Sequence, residues 1–310
     1  MNKELAFIGL GKMGGAMSAH LVEKGFTVHG YDADEEARQG SQTQGVTVHN
    51  TVEETINALS GDEKIIWLMV PARFVDEVIT KIKPLLTPND IVIDGGNSFF
   101  KDTIARNDEL ADAGIEYVDC GTSGGVDGAR KGASLMIGAD KHIFAKTEHI
   151  FKALALPNGY GHVGEVGAGH FVKMVHNGIE YGMMGAIAEG MNILHEHKDA
   201  LNLNIQETLK PFENGSVIES SLISWLAGAY KVDGYLEHIA GCVPVGETEM
   251  EMEYLIENEN VLVLDAAVKQ RKLSREEPTF IGTLIAAMRN QFGGHRIVPR
   301  TQKQHENKRD

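Results

Sequence analysis

A doubly wound α/β domain followed by an all-helical one is the fold class this sequence predicts, on three observations. Short β-rich runs alternate with amphipathic helical stretches through the first half, the rhythm of a parallel sheet covered by crossover helices. The first run leads straight into a glycine turn, GLGKMG at 9–14. After about residue 160 the texture turns glycine-rich, then helical almost to the end. At 310 residues the chain exceeds the usual size of one core, so two domains are expected. They are read as a sheet domain over 1–163, a helical domain over 164–298 and a polar tail over 299–310. The tail lacks apolar anchors and is expected to be disordered.

The strands are read at LAFIGL (5–10), TVHGY (27–31), KIIWLMV (64–70), DIVID (90–94) and IEYVDC (115–120). Nearly all-apolar runs such as KIIWLMV suit strands buried on both faces. Helical patterns fall between them at 13–24, 34–42, 52–59, 73–86 and 103–113. In the second half they run over 169–197, 205–212, 216–228, 249–257, 261–272 and 279–290.

Composition narrows the function. A formal net charge of -15 opposes nucleic-acid binding, which relies on Lys and Arg against phosphates. An anionic ligand must be captured locally. Cys120 and Cys242 are far apart, with neither CxxC spacing nor the density of a disulfide scaffold, and read as free thiols in a reducing compartment. No run of about 18 apolar residues suggests a membrane span. The N-terminal apolar run is too short for a secretory signal. A cytoplasmic protein is expected.

The turn Gly9-Leu10-Gly11-Lys12-Met13-Gly14 is GxGxxG, and its value lies in following a strand and opening a helix. Gly9 can make the tight turn, Gly11 lets a pyrophosphate approach the backbone, and Gly14 permits close helix packing. The helix then presents its positive end to the phosphates. Asp32, 18 residues past Gly14 at the end of the second strand, can accept hydrogen bonds from ribose hydroxyls. Its charge repels a 2'-phosphate, and Ala33 and Asp34 offer no cation to receive one. NAD is favoured over NADP, a preference that an arginine such as Arg73 could soften.

Two polar turns, Asp94-Gly-Gly-Asn97-Ser98 and Ser123-Gly124-Gly125, follow later strands, at the ends where parallel sheets bind ligands. A Ser-Gly-Gly turn exposes backbone N–H groups that can hold a carboxylate. In KMVHNGIEYG, Lys173, His176, Asn177, Glu180 and Tyr181 share one helical face. That face is either solvated or the lining of a site.

The segments GLGKMG (9–14), DGGNS (94–98), SGG (123–125), KMVHNGIEYG (173–182), VKQRKLS (268–274) and RNQFGGH (289–295) together resemble the short, decarboxylating 6-phosphogluconate dehydrogenases within the β-hydroxyacid dehydrogenases. The resemblance covers nearly the whole chain. It implies a Rossmann domain, a helical domain built around one long helix, and a homodimer or homotetramer. It implies oxidation of 6-phosphogluconate at C3 by hydride transfer to NAD, followed by loss of C1 as carbon dioxide to leave ribulose 5-phosphate, without a metal.

By similarity Lys173 is the base, and it must be neutral to act, which means lowering a pKa of ~10.4 to roughly 7–8. Its ammonium would then stabilise the developing oxyanion. Glu180 is the acid that protonates C1. Asn177 and His176 would orient the C3 oxygen, and Ser123, Gly124 and Gly125 would hold the C1 carboxylate. Asn97 would sit where nicotinamide and substrate meet, and Val70 beside the cofactor. Tyr181, Arg271, Arg289 and His295 match residues that contact the substrate, the arginine forks suiting bidentate phosphate binding.

One segment departs from the family. Where a basic residue followed by Trp-Thr is usual, this chain has VGETEMEMEYLIEN, with Glu249 and Glu251 in the key positions. Carboxylates oppose a bound phosphate. Either the loop aligns differently and turns its acids to water, or the substrate is an unphosphorylated sugar acid or other β-hydroxyacid. A reading of another class is a non-catalytic NAD-binding sensor, which the intact Lys173, Asn177 and Glu180 oppose. Metal binding by His195-Glu196-His197 with Glu247, Glu249, Glu251 and Glu253 is disfavoured, because adjacent helical side chains diverge and such acids usually form a solvated face.

Overall fold

The computed structural model describes residues 2–300. It contains two compact units, Met1–Val175 and His176–Asp310.

In the first unit the elements are β1 (Glu4–Ile8), α1 (Lys12–Glu23), β2 (Thr27–Tyr31), α2 (Glu35–Gln42), β3 (Thr47–Val48), α3 (Val52–Asn57), β4 (Ile65–Leu68) and α4 (Val75–Ile82). They continue as β5 (Ile91–Asp94), α5 (Phe100–Ala111), β6 (Glu116–Ser123), α6 (Gly125–Lys131), β7 (Ala133–Gly138), α7 (Lys141–Leu154) and β8 (Ala155–Gly164). The strands form one sheet in the order β3-β2-β1-β4-β5-β6-β7-β8. All pairs are parallel except β6 with β7. The chain reverses direction across the sheet between β1 and β4, the switch point at which such sheets hold ligands.

Local chemistry sets these elements. Asp34, Thr51 and Asp140 cap α2, α3 and α7 by accepting from Glu36, Glu54 and His142 backbone N–H groups, relieving unsatisfied helix donors. Every residue of β4 is buried, because helices cover both faces of the sheet. Phe7 stacks on Trp67 at 5.8 Å within the core on one face. Ile8, Ile66, Leu68 and Val92 belong to the core on the other.

The helix α8 (Ala168–Glu196) begins in the first unit and continues into the second. There it is followed by α9 (Lys198–Leu201), α10 (Ile205–Glu213), α11 (Ser221–Tyr230), α12 (Glu249–Asn258), α13 (Leu262–Glu276) and α14 (Phe280–Gly293). Met184, Ala188 and Met191 of α8 share a core with Leu222 and Leu226 of α11 and Leu284, Ile285 and Met288 of α14.

The strands and helices expected from the sequence are present, and the sheet has three more strands, β3, β7 and β8. Burial alternates along β7, with Ala133, Leu135 and Ile137 inside, while β8 uses the passage that reads only as glycine-rich. Of the expected tail, Pro299 bridges Ile239 and the Arg300 N–H donates to the His238 carbonyl at 2.7 Å. Residues 301–310 lie outside the described residues. Among the described residues no helix is long and apolar enough to cross a membrane.

Burial, reinforced by Lys24, pushes His20 below its ordinary pKa of 6.5, and burial reinforced by His29 does the same to His49. As pH falls below 6.5 the unfolded chain therefore binds these protons before the folded one does, and stability is lost. The melting temperature of the protein is expected to fall between about pH 7 and about pH 5, and His20→Gln to flatten the fall. An unchanged slope in the variant would contradict this assignment.

Candidate active site

The glycine turn after β1 is built as its spacing requires. Gly9 has φ +98 and lies against the Met69 carbonyl, so a Cβ there would collide with it. A Cβ on Gly14 would strike the Gly9 carbonyl, whereas one on Gly11 would meet nothing within 4 Å. Gly11 is also the N-cap of the 12-residue α1, with no side chain occupying the helix end and no acid in its first turn. Open space before uncapped, positively polarised N–H groups suits a pyrophosphate. Leu10, Lys12 and Met13 complete this turn, and the side chain of Val70 lies next to Gly9.

Asp32 at the end of β2 is tied to the same turn. Its Oδ2 accepts from the Leu10 N–H at 2.6 Å and its Oδ1 from the Asp34 N–H at 2.8 Å. Each carboxylate oxygen keeps acceptor capacity for a ribose hydroxyl. The residues present therefore fit a dinucleotide. Arg73 lies over the Phe74 ring at 4.6 Å. The cation beside Asp32 is instead Arg38, whose Nη1 donates to the Asp32 carbonyl at 2.6 Å. Sequence inspection of residues 33 and 34 misses it, because the first turn of α2 returns it to the acid.

The DGGNS turn after β5 divides its labour. Asp94 is wholly buried and accepts from the Gly96 N–H, Ser98 Oγ and Tyr117 Oη at 3.1, 2.7 and 3.1 Å. Arg106 of α5 donates from Nη1 to Ser98 Oγ and from Nε to Asp76 at 3.1 and 2.6 Å. Asp94 and Ser98 thus frame the turn, and Asn97 between them is half-buried.

Strand β6 cradles the start of α8. Asp119 accepts the Gly167 and His170 N–H groups, each at 2.7 Å, satisfying donors at that helix end. Burial pushes its carboxyl up in pKa, opposed by His170 and these donors. His170 Nδ1 meets Thr103 Oγ1 at 2.7 Å. Two residues along the strand, a Cβ on Gly121 would lie 2.5 Å from Lys173 Cβ, so the bare backbone seats the lysine stem. Two residues further, Ser123 opens the SGG turn, where Gly124 and Gly125 take φ +118 and +62.

The polar stripe of α8 is not a solvated face. Asn177 and Tyr181 are 6% and 5% exposed, and Lys173, His176 and Glu180 are half-buried. Phe171, Val175, Ile179 and Met183 are the exposed residues instead. His176 Nδ1 and Asn177 Oδ1 are 3.4 Å apart.

Within the second unit, Tyr181, Arg271 and Arg289 come together. The Arg271 guanidinium lies 3.2 Å from the centroid of the Tyr181 ring, a cation–π geometry. Arg289 Nη1 donates to the Pro244 carbonyl of its own chain at 2.8 Å. Burial pushes Arg271 down to about 10 and also lowers Arg289, each further depressed by a neighbouring arginine. The charges of Glu180 and Glu249 act on both arginines in the opposite sense. His295 is exposed after α14, its ring edge-on to Phe292 at 5.4 Å.

Two contributors were not singled out from the sequence. Thr248 Oγ1 lies 3.0 Å from Tyr181 Oη, which adds a hydroxyl to the cluster. Gly246 lies against Arg289 Nη2 and Tyr181 Oη. Of the two alternatives for this loop, the one that turns its acids to water does not hold for Glu249 and Glu251, which are 7% and 4% exposed. Glu249 survives burial through an ion pair and hydrogen bond with Arg275. The His195 ring packs on Phe280 at 4.3 Å. Among the described residues no group of three His, Cys, Asp or Glu side chains could hold a metal ion.

Residues 4–164 match the family model described as the NAD binding domain of 6-phosphogluconate dehydrogenase, and residues 169–233 match that of its C-terminal domain. An NAD(+)-dependent, decarboxylating 6-phosphogluconate dehydrogenase of Haloferax volcanii is 35% identical over 304 residues, covering 95% of this chain and 98% of that one. A protein of the same description in Bacillus subtilis is 37% identical over 72% of this chain and 49% of its own length. A solved Plasmodium falciparum 6-phosphogluconate dehydrogenase superposes with a TM-score of 0.78 at 30% identity, over 88% of this chain and 62% of that one. A 3-hydroxyisobutyrate dehydrogenase of Mycobacterium tuberculosis, 21% identical with a TM-score of 0.71, shares the fold. The chain belongs to the 6-phosphogluconate dehydrogenase family.

Proposed function

We propose that this protein oxidises 6-phosphogluconate at C3 with NAD and releases C1 as carbon dioxide, leaving ribulose 5-phosphate. The observation that carries the phosphate assignment is the pair of buried guanidiniums, Arg271 and Arg289, grouped with the Tyr181 and Thr248 hydroxyls. Two desolvated cations call for an anion of high charge.

NAD supplies the hydride acceptor at C3. Lys173, seated on Gly121, takes the C3 hydroxyl proton, and its ammonium then stabilises negative charge on the C3 oxygen as C1 departs. Asn177 and His176 orient that oxygen. The SGG turn at Ser123, Gly124 and Gly125 holds the carboxylate, and Asn97 bridges substrate and nicotinamide. Glu180, seven residues along the stripe from Lys173, delivers the proton to C1 of the enediol. His295 is a further substrate contact. In this mechanism proton transfer and charge stabilisation come from side chains, and no step calls for a metal. The exposed apolar residues Phe171, Val175, Ile179 and Met183 support assembly of the protein as a homo-oligomer.

The preference for NAD rests on Asp32, whose carboxylate is aimed at the phosphate turn. Asp32→Asn keeps an acceptor for the Leu10 N–H and removes the charge, while Arg38 remains beside the site. The NADP to NAD ratio of kcat/KM is expected to rise by about tenfold, of the order of one charge interaction near a surface. An unchanged ratio in steady-state assays would count against this role.

A further inference from the structure

The acidic residue in the loop beside the anion cluster has a partner with a consequence for specificity. Glu249 immediately follows Thr248, whose hydroxyl meets Tyr181, and its charge acts on both Arg271 and Arg289. It is buried, so water screens it little. Left alone, such a carboxylate would repel a phosphate and cancel much of the field of the two arginines.

Arg275 meets it from α13. Its Nη2 donates to Glu249 Oε2, and its Nε donates to the Val243 carbonyl at 3.0 Å, which fixes the guanidinium on the loop. A second pair, Lys272 with Glu253 at 2.6 Å, ties α12 to α13 on the same side. The cluster therefore holds Arg271 and Arg289, on which Glu180 also acts, next to an internally neutral pair.

We propose that the Glu249–Arg275 pair is a specificity-determining element: Arg275 cancels the carboxylate beside the Tyr181, Arg271 and Arg289 cluster, and this cancellation lets the chain accept a phosphorylated rather than an unphosphorylated sugar acid. The proposal rests on the reading of that cluster as the phosphate site. It gives Arg275, which lies outside the segment where the family usually carries its basic residue, the task of restoring the charge balance.

The test is the ratio of kcat/KM for 6-phosphogluconate over gluconate in the native enzyme, in Arg275→Gln, in Glu249→Gln and in the double variant. Arg275→Gln exposes the cluster to an uncompensated carboxylate, and the ratio is expected to fall by more than about tenfold, mainly through KM for the phosphorylated substrate. Glu249→Gln leaves Arg275 as an additional cation, and the ratio is expected to rise by about threefold or more. The double variant removes both charges and is expected to return within about threefold of the native value. A merely structural pair would instead lower the melting temperature and kcat for both substrates without moving the ratio.

If Arg275→Gln does not fold, the rise in Glu249→Gln alone decides: its absence overturns the proposal. A fall in Arg275→Gln that the second substitution does not rescue also overturns it. A native enzyme that prefers gluconate overturns the phosphate reading and the proposal with it, whereas native preference for 6-phosphogluconate with unmoved variant ratios overturns the proposal alone.

Discussion

Lys173→Ala is expected to reduce turnover by at least about 10⁴-fold while leaving NAD affinity within about twofold. General-base transfer contributes about 10²–10⁴-fold and charge stabilisation at an oxyanion a further 10²–10³-fold. The two act through one ammonium and do not simply multiply. NAD binding is spared because the dinucleotide features lie at Gly9, Gly11, Gly14 and Asp32, on other elements of the first unit. The fold is spared too, since the cradle is made by Asp119 capping α8 and by the bare Gly121. The check is a pair of measurements on one preparation: kcat with saturating substrate, and NAD titration by fluorescence. Retained turnover would remove Lys173 from the chemistry, and loss of both activities would point to damage of the fold.

Arg271→Met should have opposite effects on affinity and stability. The arginine is 3% exposed, covers the Tyr181 ring, and has burial as the main force lowering its pKa, to about 10. Its Nη2 donates to the weak acceptor Met184 Sδ at 3.9 Å. A buried cation with such partners costs stability, so a methionine of similar length should leave the melting temperature unchanged or raise it. The phosphate loses a charged hydrogen-bond donor worth about 1.5–3 kcal/mol, so KM for the phosphorylated substrate should rise by about 10- to 100-fold. Enzyme kinetics and thermal unfolding of the same variant test both signs. A variant that melts lower with unchanged KM would make Arg271 a structural cation.

The elements with strong local signals could be read directly from the sequence. The glycine turn and Asp32 are a strand, a turn and an acid in register, and the structure joins them by the Leu10 N–H to Asp32 hydrogen bond. The polar stripe of KMVHNGIEYG stands out because it inverts the usual helix, and its residues are buried or half-buried. What stayed hidden depends on partners distant in the chain. Arg106 meets Asp76 across 30 residues to brace the DGGNS turn. Thr248 reaches Tyr181 across 67. Glu249 reads as a surface acid until Arg275, 26 residues on, explains its burial. Strand β8 was missed for a different reason: a glycine-rich stretch carries no periodicity, and it becomes a strand through its pairing with β7.

The most direct test is a steady-state comparison of 6-phosphogluconate and gluconate, each with NAD and with NADP. The buried Arg271 and Arg289 and the charge-aimed Asp32 predict the highest kcat/KM for 6-phosphogluconate with NAD, accompanied by one carbon dioxide per hydride transferred. Faster turnover of gluconate, or a preference for NADP, would contradict it.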